Sequence, residues 1–94
     1  MTKTLHLKLY GTVQGVGCRY KIERIANELA IRGWVRNVGD SVVEVIAQGD
    51  NIGQFLERIK KLPPPIRIDR LEEGFLDLDN YYAHFVINPS RTDS

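Results

Sequence analysis

Two helical stripes interrupted by a pair of strands constrain this chain more than any other feature. Ile22, Ile25, Ala26, Leu29 and Ala30 recur at helical spacing, and so do Ile52, Phe55, Leu56, Ile59 and Leu62. Each set makes one apolar face, and each face needs a surface to cover. Before, between and after the stripes the apolar residues alternate instead, with the period of a strand. Leu5, Leu7 and Leu9 alternate with His6, Lys8 and Tyr10 in a first strand from Thr4 to Tyr10. Trp34 to Val38 and Ser41 to Gln48 read as a second and third strand, joined by a turn at Gly39-Asp40. The third is apolar on both sides, with Val43, Val45 and Ala47 opposed by Val42 and Ile46, which suits a central position.

Ile66, Ile68 and Leu71 mark a fourth strand whose alternation slips near Asp69-Arg70, as at a bulge. Gly74 to Tyr82 reads as a polar connection, and Ala83, Phe85 and Ile87 as a short terminal strand. A tail from about residue 89 to 94 is expected to fray. The order is β-α-β-β-α-β plus a terminal strand. Two amphipathic helices in that order cover one face of a mainly antiparallel sheet, an α+β fold of the ferredoxin-like sandwich type. The 94 residues make a single domain, and no internal repeat divides them.

Local signals set the expected boundaries. The first helix runs roughly from Arg19 to Arg32, with Gly33 as its stop. Asp50 or Asn51 caps the second, and with Asn51 in that place Gln54 completes a capping box. Pro63-Pro64-Pro65 ends it and reads as a rigid connector. Trp34 reads as a core or sheet-edge residue. His6 reads as a sheet-surface residue with no acidic partner near it in sequence.

The chemistry concentrates in Gly11-Thr12-Val13-Gln14-Gly15-Val16-Gly17-Cys18-Arg19, where strand alternation gives way to helical spacing. Glycines let the backbone turn sharply and leave amide N–H groups uncovered. The first amides of a helix have no partner within it, carry partial positive charge and hold anions. Arg19 adds a planar fork of donors matched to phosphate. The stretch therefore reads as a phosphate-sized oxyanion cradle, against the plainer alternative of a tight turn whose arginine faces water. Asn37, near the end of the second strand, brings a carboxamide able to hold a water if it shares a sheet end with the cradle.

Charge and cysteine content narrow the partners. Thirteen basic against twelve acidic side chains give a net charge of +1, without the basic footprint of a nucleic-acid binder. The exposed faces of the first and third strands offer only Tyr10 as an aromatic platform, which also argues against RNA. A single cysteine, Cys18, excludes an internal disulfide and fits a reducing compartment. No apolar run is long enough to span a bilayer, and the N-terminus lacks a signal-peptide core. The expectation is a cytoplasmic monomer that meets neither membrane nor nucleic acid.

The stretch from Gly11 to Arg19, followed by Gly33-Trp34-Val35-Arg36-Asn37, resembles the acylphosphatase family. The likeness continues through Val42-Val43-Glu44-Val45, Gly49 and Phe85-Val86-Ile87, and so covers nearly the whole chain. The resemblance implies hydrolysis of the carboxyl–phosphate bond of a small acyl phosphate, giving a carboxylate and inorganic phosphate. It implies that Gln14, Gly15, Val16, Gly17, Cys18 and Arg19 bind the phosphoryl group. It implies that Asn37 positions the attacking water beside the catalytic Arg19, with no metal or organic cofactor. The physics agrees, because an acyl phosphate already carries a good leaving group and needs mainly positioning and aimed donors. No histidine or paired carboxylate near the loop offers a general base, so a substrate phosphate oxygen is expected to take the water's proton.

Two positions depart from the family pattern. Cys18 stands where the family usually has phenylalanine, and Val38-Gly39-Asp40-Ser41 replaces the frequent Asp-Gly turn. Cys18 reads as a small buried packing residue; a thiol lowered in pKa by the helix N-terminus is the other possibility, and would bring oxidative inactivation. Cys18 and Arg24 also have the Cys-x₅-Arg spacing of cysteine phosphatases, but the span between them carries a helical stripe and no glycine to wrap a phosphate. A non-catalytic anion-binding module using the same cradle is the alternative, which turnover of a small acyl phosphate separates.

Overall fold

A computed structural model describes residues 2–92 and contains seven elements. These are β1 (Thr2–Thr12), α1 (Cys18–Glu28), β2 (Arg32–Val38), β3 (Val42–Gln48), α2 (Ile52–Lys60), β4 (Arg67–Leu78) and β5 (Phe85–Ile87). The five strands form one sheet in the order β4-β1-β3-β2-β5. All neighbours are antiparallel except β2 and β5, which run parallel. Central β3 is the strand that the sequence marks as apolar on both sides.

Register explains the core. Leu5, Leu7 and Leu9 of β1 lie opposite Ala47, Val45 and Val43 of β3, and Val45 lies opposite Val35 of β2. These side chains share one face and are fully buried. Ile22, Ile25 and Ala26 of α1 and Phe55 and Ile59 of α2 complete the same cluster, so both helices cover one side. Phe55 meets Phe85 of β5 edge to face, with centroids 6.1 Å apart, a favoured aromatic geometry.

The other sheet face mixes apolar residues, among them buried Ile46, with polar side chains tied across strands. His6 Nε2 donates to Glu44 Oε2 at 2.7 Å, and Arg36 Nε donates to Glu44 Oε1 at 2.9 Å. His6 therefore does have an acidic partner, brought by strand pairing from 38 residues away. Trp34 also lies on this face, under the Arg36 guanidinium at 4.5 Å, and Tyr10 lies under Arg70 at 4.2 Å. Arginines thus cover both of these rings as cation–π partners. At its far end Gln48 is buried, donating to Thr4 Oγ1 and to the Asn80 carbonyl and accepting from the Tyr82 amide. The segment between β4 and β5 crosses the sheet there.

Several expected boundaries are corrected. α1 ends at Glu28 rather than near Arg32, because Ala30 takes a left-handed φ of 55°. The Ile31 amide then donates to the Ala26 carbonyl at 2.8 Å and the Ala30 amide to Asn27, closing a Schellman cap. Arg32 and Gly33 belong to β2, and Gly33 is needed for another reason. A Cβ there would lie 1.9 Å from the Ile46 carbonyl oxygen, inside the β2–β3 ladder. Asn51 caps α2 in position but not by its side chain, so no capping box forms; its Nδ2 donates to the Leu29 carbonyl and ties α2 to the end of α1. β1 extends through Gly11 and Thr12, past the expected end at Tyr10. The slip near Asp69 is a bulge, since Tyr10 faces Arg70 whereas Gly11 faces Ile68. β4 continues through Gly74 to Leu78, where a polar connection is expected; pairing with Thr2 to His6 supplies the hydrogen bonds that the side-chain pattern does not reveal. The tail is held as far as Arg91, whose amide donates to the Asn37 carbonyl at 2.8 Å and whose carbonyl accepts from Gly39 at 2.9 Å. Residues 93 and 94 of the expected frayed tail lie outside the described residues.

Candidate active site

The turn from Val13 to Gly17 leaves the end of β1 and enters α1 on the helix-covered side of the sheet. Val13 is buried and anchors the turn to the core. Gly15 and Gly17 have φ of 75° and 78°, a region that costs an L side chain roughly 1–2 kcal/mol. A Cβ at either would meet nothing within 4 Å, so conformation rather than crowding demands glycine. Gly17 is the N-cap of α1 and has no side chain to satisfy the first amides, and no acidic residue stands in the first turn. The first backbone bond of the helix is from Lys21 to the Gly17 carbonyl, at 3.2 Å. The amides ahead of it have no helical acceptor, and their partial charge faces the turn uncompensated.

Arg19 follows as the second residue of α1. It is half-buried and makes no hydrogen bond or ion pair among the described residues. A guanidinium this close to unpaired helix amides adds positive charge to positive potential. An anion placed there is attracted by both.

Asn37 arrives from the second strand. Its register partner is Val43, which in turn faces Leu9, so the Asn37 side chain lies on the helix side of the sheet. The turn and Asn37 therefore share both a sheet face and a sheet end. Asn37 Oδ1 is buried and has no hydrogen-bond partner; Arg32 Nε is the other such atom among the described residues. Buried polar atoms in folded proteins are nearly always paired, so this oxygen is an acceptor available to a water or a ligand group.

The remaining expected site residues divide. Gly15, Val16 and Gly17 form the turn itself. The Gln14 carboxamide is engaged elsewhere: its Nε2 donates to the carbonyls of Val38, Gly39 and Val42 at 3.4, 3.3 and 2.8 Å. Cys18 contributes only its backbone at the turn. Its side chain points into the core and is 2% exposed. Burial pushes the thiol up to about 11, outweighing the lowering effect of nearby Arg19, which favours a small packing residue over a reactive low-pKa thiol. His6 and Glu44 lie on the opposite sheet face and bind each other, out of reach of the turn. The link from Gln14 to the hairpin has no sequence signal, because its acceptors are main-chain carbonyls 24 to 28 residues away.

A ferredoxin-like sandwich with unsatisfied donors gathered at its β1–α1 corner is the class these features define. The acylphosphatase family model matches residues 5–87. An acylphosphatase of Caldanaerobacter subterraneus subsp. tengcongensis is 40% identical over 89 residues, covering 93% of this chain and 99% of that protein. The crystal structure of acylphosphatase from Bacillus subtilis superposes with a TM-score of 0.85 at 27% identity, covering 92% of this chain and 98% of the other. The carbamoyltransferase HypF of Synechocystis is 38% identical over 92 residues, which span 96% of this chain and 12% of that longer one. The chain belongs to the acylphosphatase family. Its reaction is hydrolysis of the carboxyl–phosphate bond of an acyl phosphate, yielding a carboxylate and inorganic phosphate.

Proposed function

We propose that Arg19 and the turn amides from Gly15 to Arg19 hold the phosphoryl group, and that Asn37 aims the attacking water. The water oxygen bonds to phosphorus as the bond from phosphorus to the acyl oxygen breaks. The bonding pair leaves with the carboxylate. A phosphoryl oxygen takes the water's proton, since among the described residues no side chain suited to general base catalysis accompanies Arg19 and Asn37. Negative charge spreads over the equatorial oxygens during this step, and fixed N–H donors aimed at those oxygens stabilise it without reorganising. The Asn37 carboxamide accepts from the water, which fixes its line of approach.

The observation that carries this reading is the coincidence of three unsatisfied groups at one corner. Among the described residues, the Arg19 guanidinium, the amides of the turn and Asn37 Oδ1 have no hydrogen-bond partner. The same reading takes the enzyme as a cytoplasmic monomer acting on a free small molecule. The lone cysteine suits a reducing compartment. Turnover of benzoyl phosphate by Arg19→Ala and by Asn37→Ala tests the roles. Each variant keeps its circular dichroism spectrum and loses about 10²–10³ in kcat, as for removal of one transition-state donor. Near-normal turnover in a folded variant removes that residue from the mechanism.

A further inference from the structure

We infer that Gln14 is a positioning residue that sets the aim of Asn37, and that its side chain is not a phosphate ligand; the inference rests on the mechanism just proposed. An amide group has two N–H hydrogens. Gln14 Nε2 lies within hydrogen-bond distance of the carbonyls of Val38, Gly39 and Val42, with the shortest contact, 2.8 Å, to Val42. Three acceptors around one atom also identify it as the nitrogen of the amide. The polar atom left over is the oxygen, an acceptor, which repels a phosphate rather than binding it.

The three carbonyls define what Gln14 holds. Val38 and Val42 form the last register pair of β2 and β3, and Gly39 stands in the turn between them. Asn37 is the residue before Val38. Gln14 is the residue before Gly15, the start of the proposed anion turn. One side chain thus pins the turn that carries Arg19 to the hairpin that carries Asn37. On the opposite edge, Arg91 holds the same hairpin through the Asn37 carbonyl and the Gly39 amide. Among the described residues, the Gln14 contacts are the side-chain hydrogen bonds that join turn and hairpin. Without them the hairpin can shift as a unit relative to Arg19, and the water held by Asn37 shifts off line. The anion-holding groups all lie on the other side of that joint, so phosphate affinity is preserved.

A double-mutant cycle tests this on benzoyl phosphate, with competitive inhibition by inorganic phosphate measured beside it. Gln14→Ala lowers kcat roughly ten- to hundredfold, the scale of a misplacement near 1 Å. Its inhibition constant for phosphate stays within about twofold, because ground-state anion binding is untouched. In an Asn37→Ala background the Gln14→Ala change costs little more, since the residue through which it acts is already gone. Gln14→Met keeps the length and packing of the side chain without its donors, and gives the same kinetics if Gln14→Ala unfolds. An additive double variant, or an inhibition constant that rises in step with the loss of kcat, overturns the inference. A normal Asn37→Ala enzyme beside an impaired Gln14→Ala also overturns it, and is distinct because it strikes the mechanism as well.

Discussion

Titration of Cys18 gives a direct physical test of how the active corner is built. The thiol is 2% exposed, and burial raises it from an ordinary 9.0 to about 11. At pH 8 a group at 9.0 is about one-tenth thiolate, whereas one near 11 is about one-thousandth, a ratio on the order of a hundred. Iodoacetamide therefore labels the native protein at least roughly a hundredfold more slowly than the urea-unfolded chain, before any steric shielding is counted. The same shift has a thermodynamic consequence. The folded state holds the proton more tightly, so the stabilisation is complete below pH 9 and is lost as pH rises from about 9 through about 11. For a shift from 9.0 to about 11, about 2 kcal/mol is lost between pH 8 and 10.5. Urea unfolding of the wild type and of Cys18→Ala at both pH values isolates this group, because every other titration is common to the two proteins. The stability difference between them narrows by about 2 kcal/mol at the higher pH. A constant difference, or native labelling at the unfolded rate with inactivation, refutes the buried, inert thiol and returns Cys18 to the surface of the turn.

Glu44 titrates in the opposite sense. Burial by itself raises its carboxyl, but hydrogen bonds and charge from His6 and Arg36 outweigh burial and hold it below the ordinary 4.5. Its contribution is present above that value and disappears as pH falls through the folded pKa. Glu44→Gln therefore costs about 1–3 kcal/mol at pH 7, and its stability curve converges with the wild type under acid. Unchanged benzoyl phosphate turnover at pH 7 is expected in the same variant, since this network lies on the far face of the sheet. Ala30→Gly stabilises the fold by about 1 kcal/mol, because glycine takes the positive φ of the α1 cap without strain, and the thermal midpoint rises by about 4–8 °C. A midpoint that falls shows that the alanine methyl contributes more packing than its backbone conformation costs.

Much of the fold is legible from periodicity where an element buries a single face, as β1 and both helices do. Leu5-Leu7-Leu9 and the stripe at Ile22, Ile25 and Ala26 each announce their element and its inward face. Legibility fails where main chain rather than side chain holds the element. β4 from Gly74 to Leu78 is an exposed edge whose residues show no alternation, and it is a strand because β1 offers it a ladder. The tail is likewise held by backbone bonds to Asn37 and Gly39. Ala30 hides the end of α1, since an alanine in a helical stripe gives no sign of a left-handed φ.

Local chemistry alone determined the site's ingredients: a turn that only glycines can make, helix amides with nothing to bond, and an arginine beside them. Those depend on residues adjacent in the chain, whose geometry the backbone dictates. The tertiary structure decided which distant groups join them. Register puts Asn37 on the helix side of the sheet and His6 with Glu44 on the other, because a strand reverses face at every residue. Packing turns Cys18 inward, and three carbonyls of the β2–β3 hairpin claim Gln14. Hydrogen bonds to main-chain carbonyls leave no trace in residue identity, so that joint exists only once the sheet has formed.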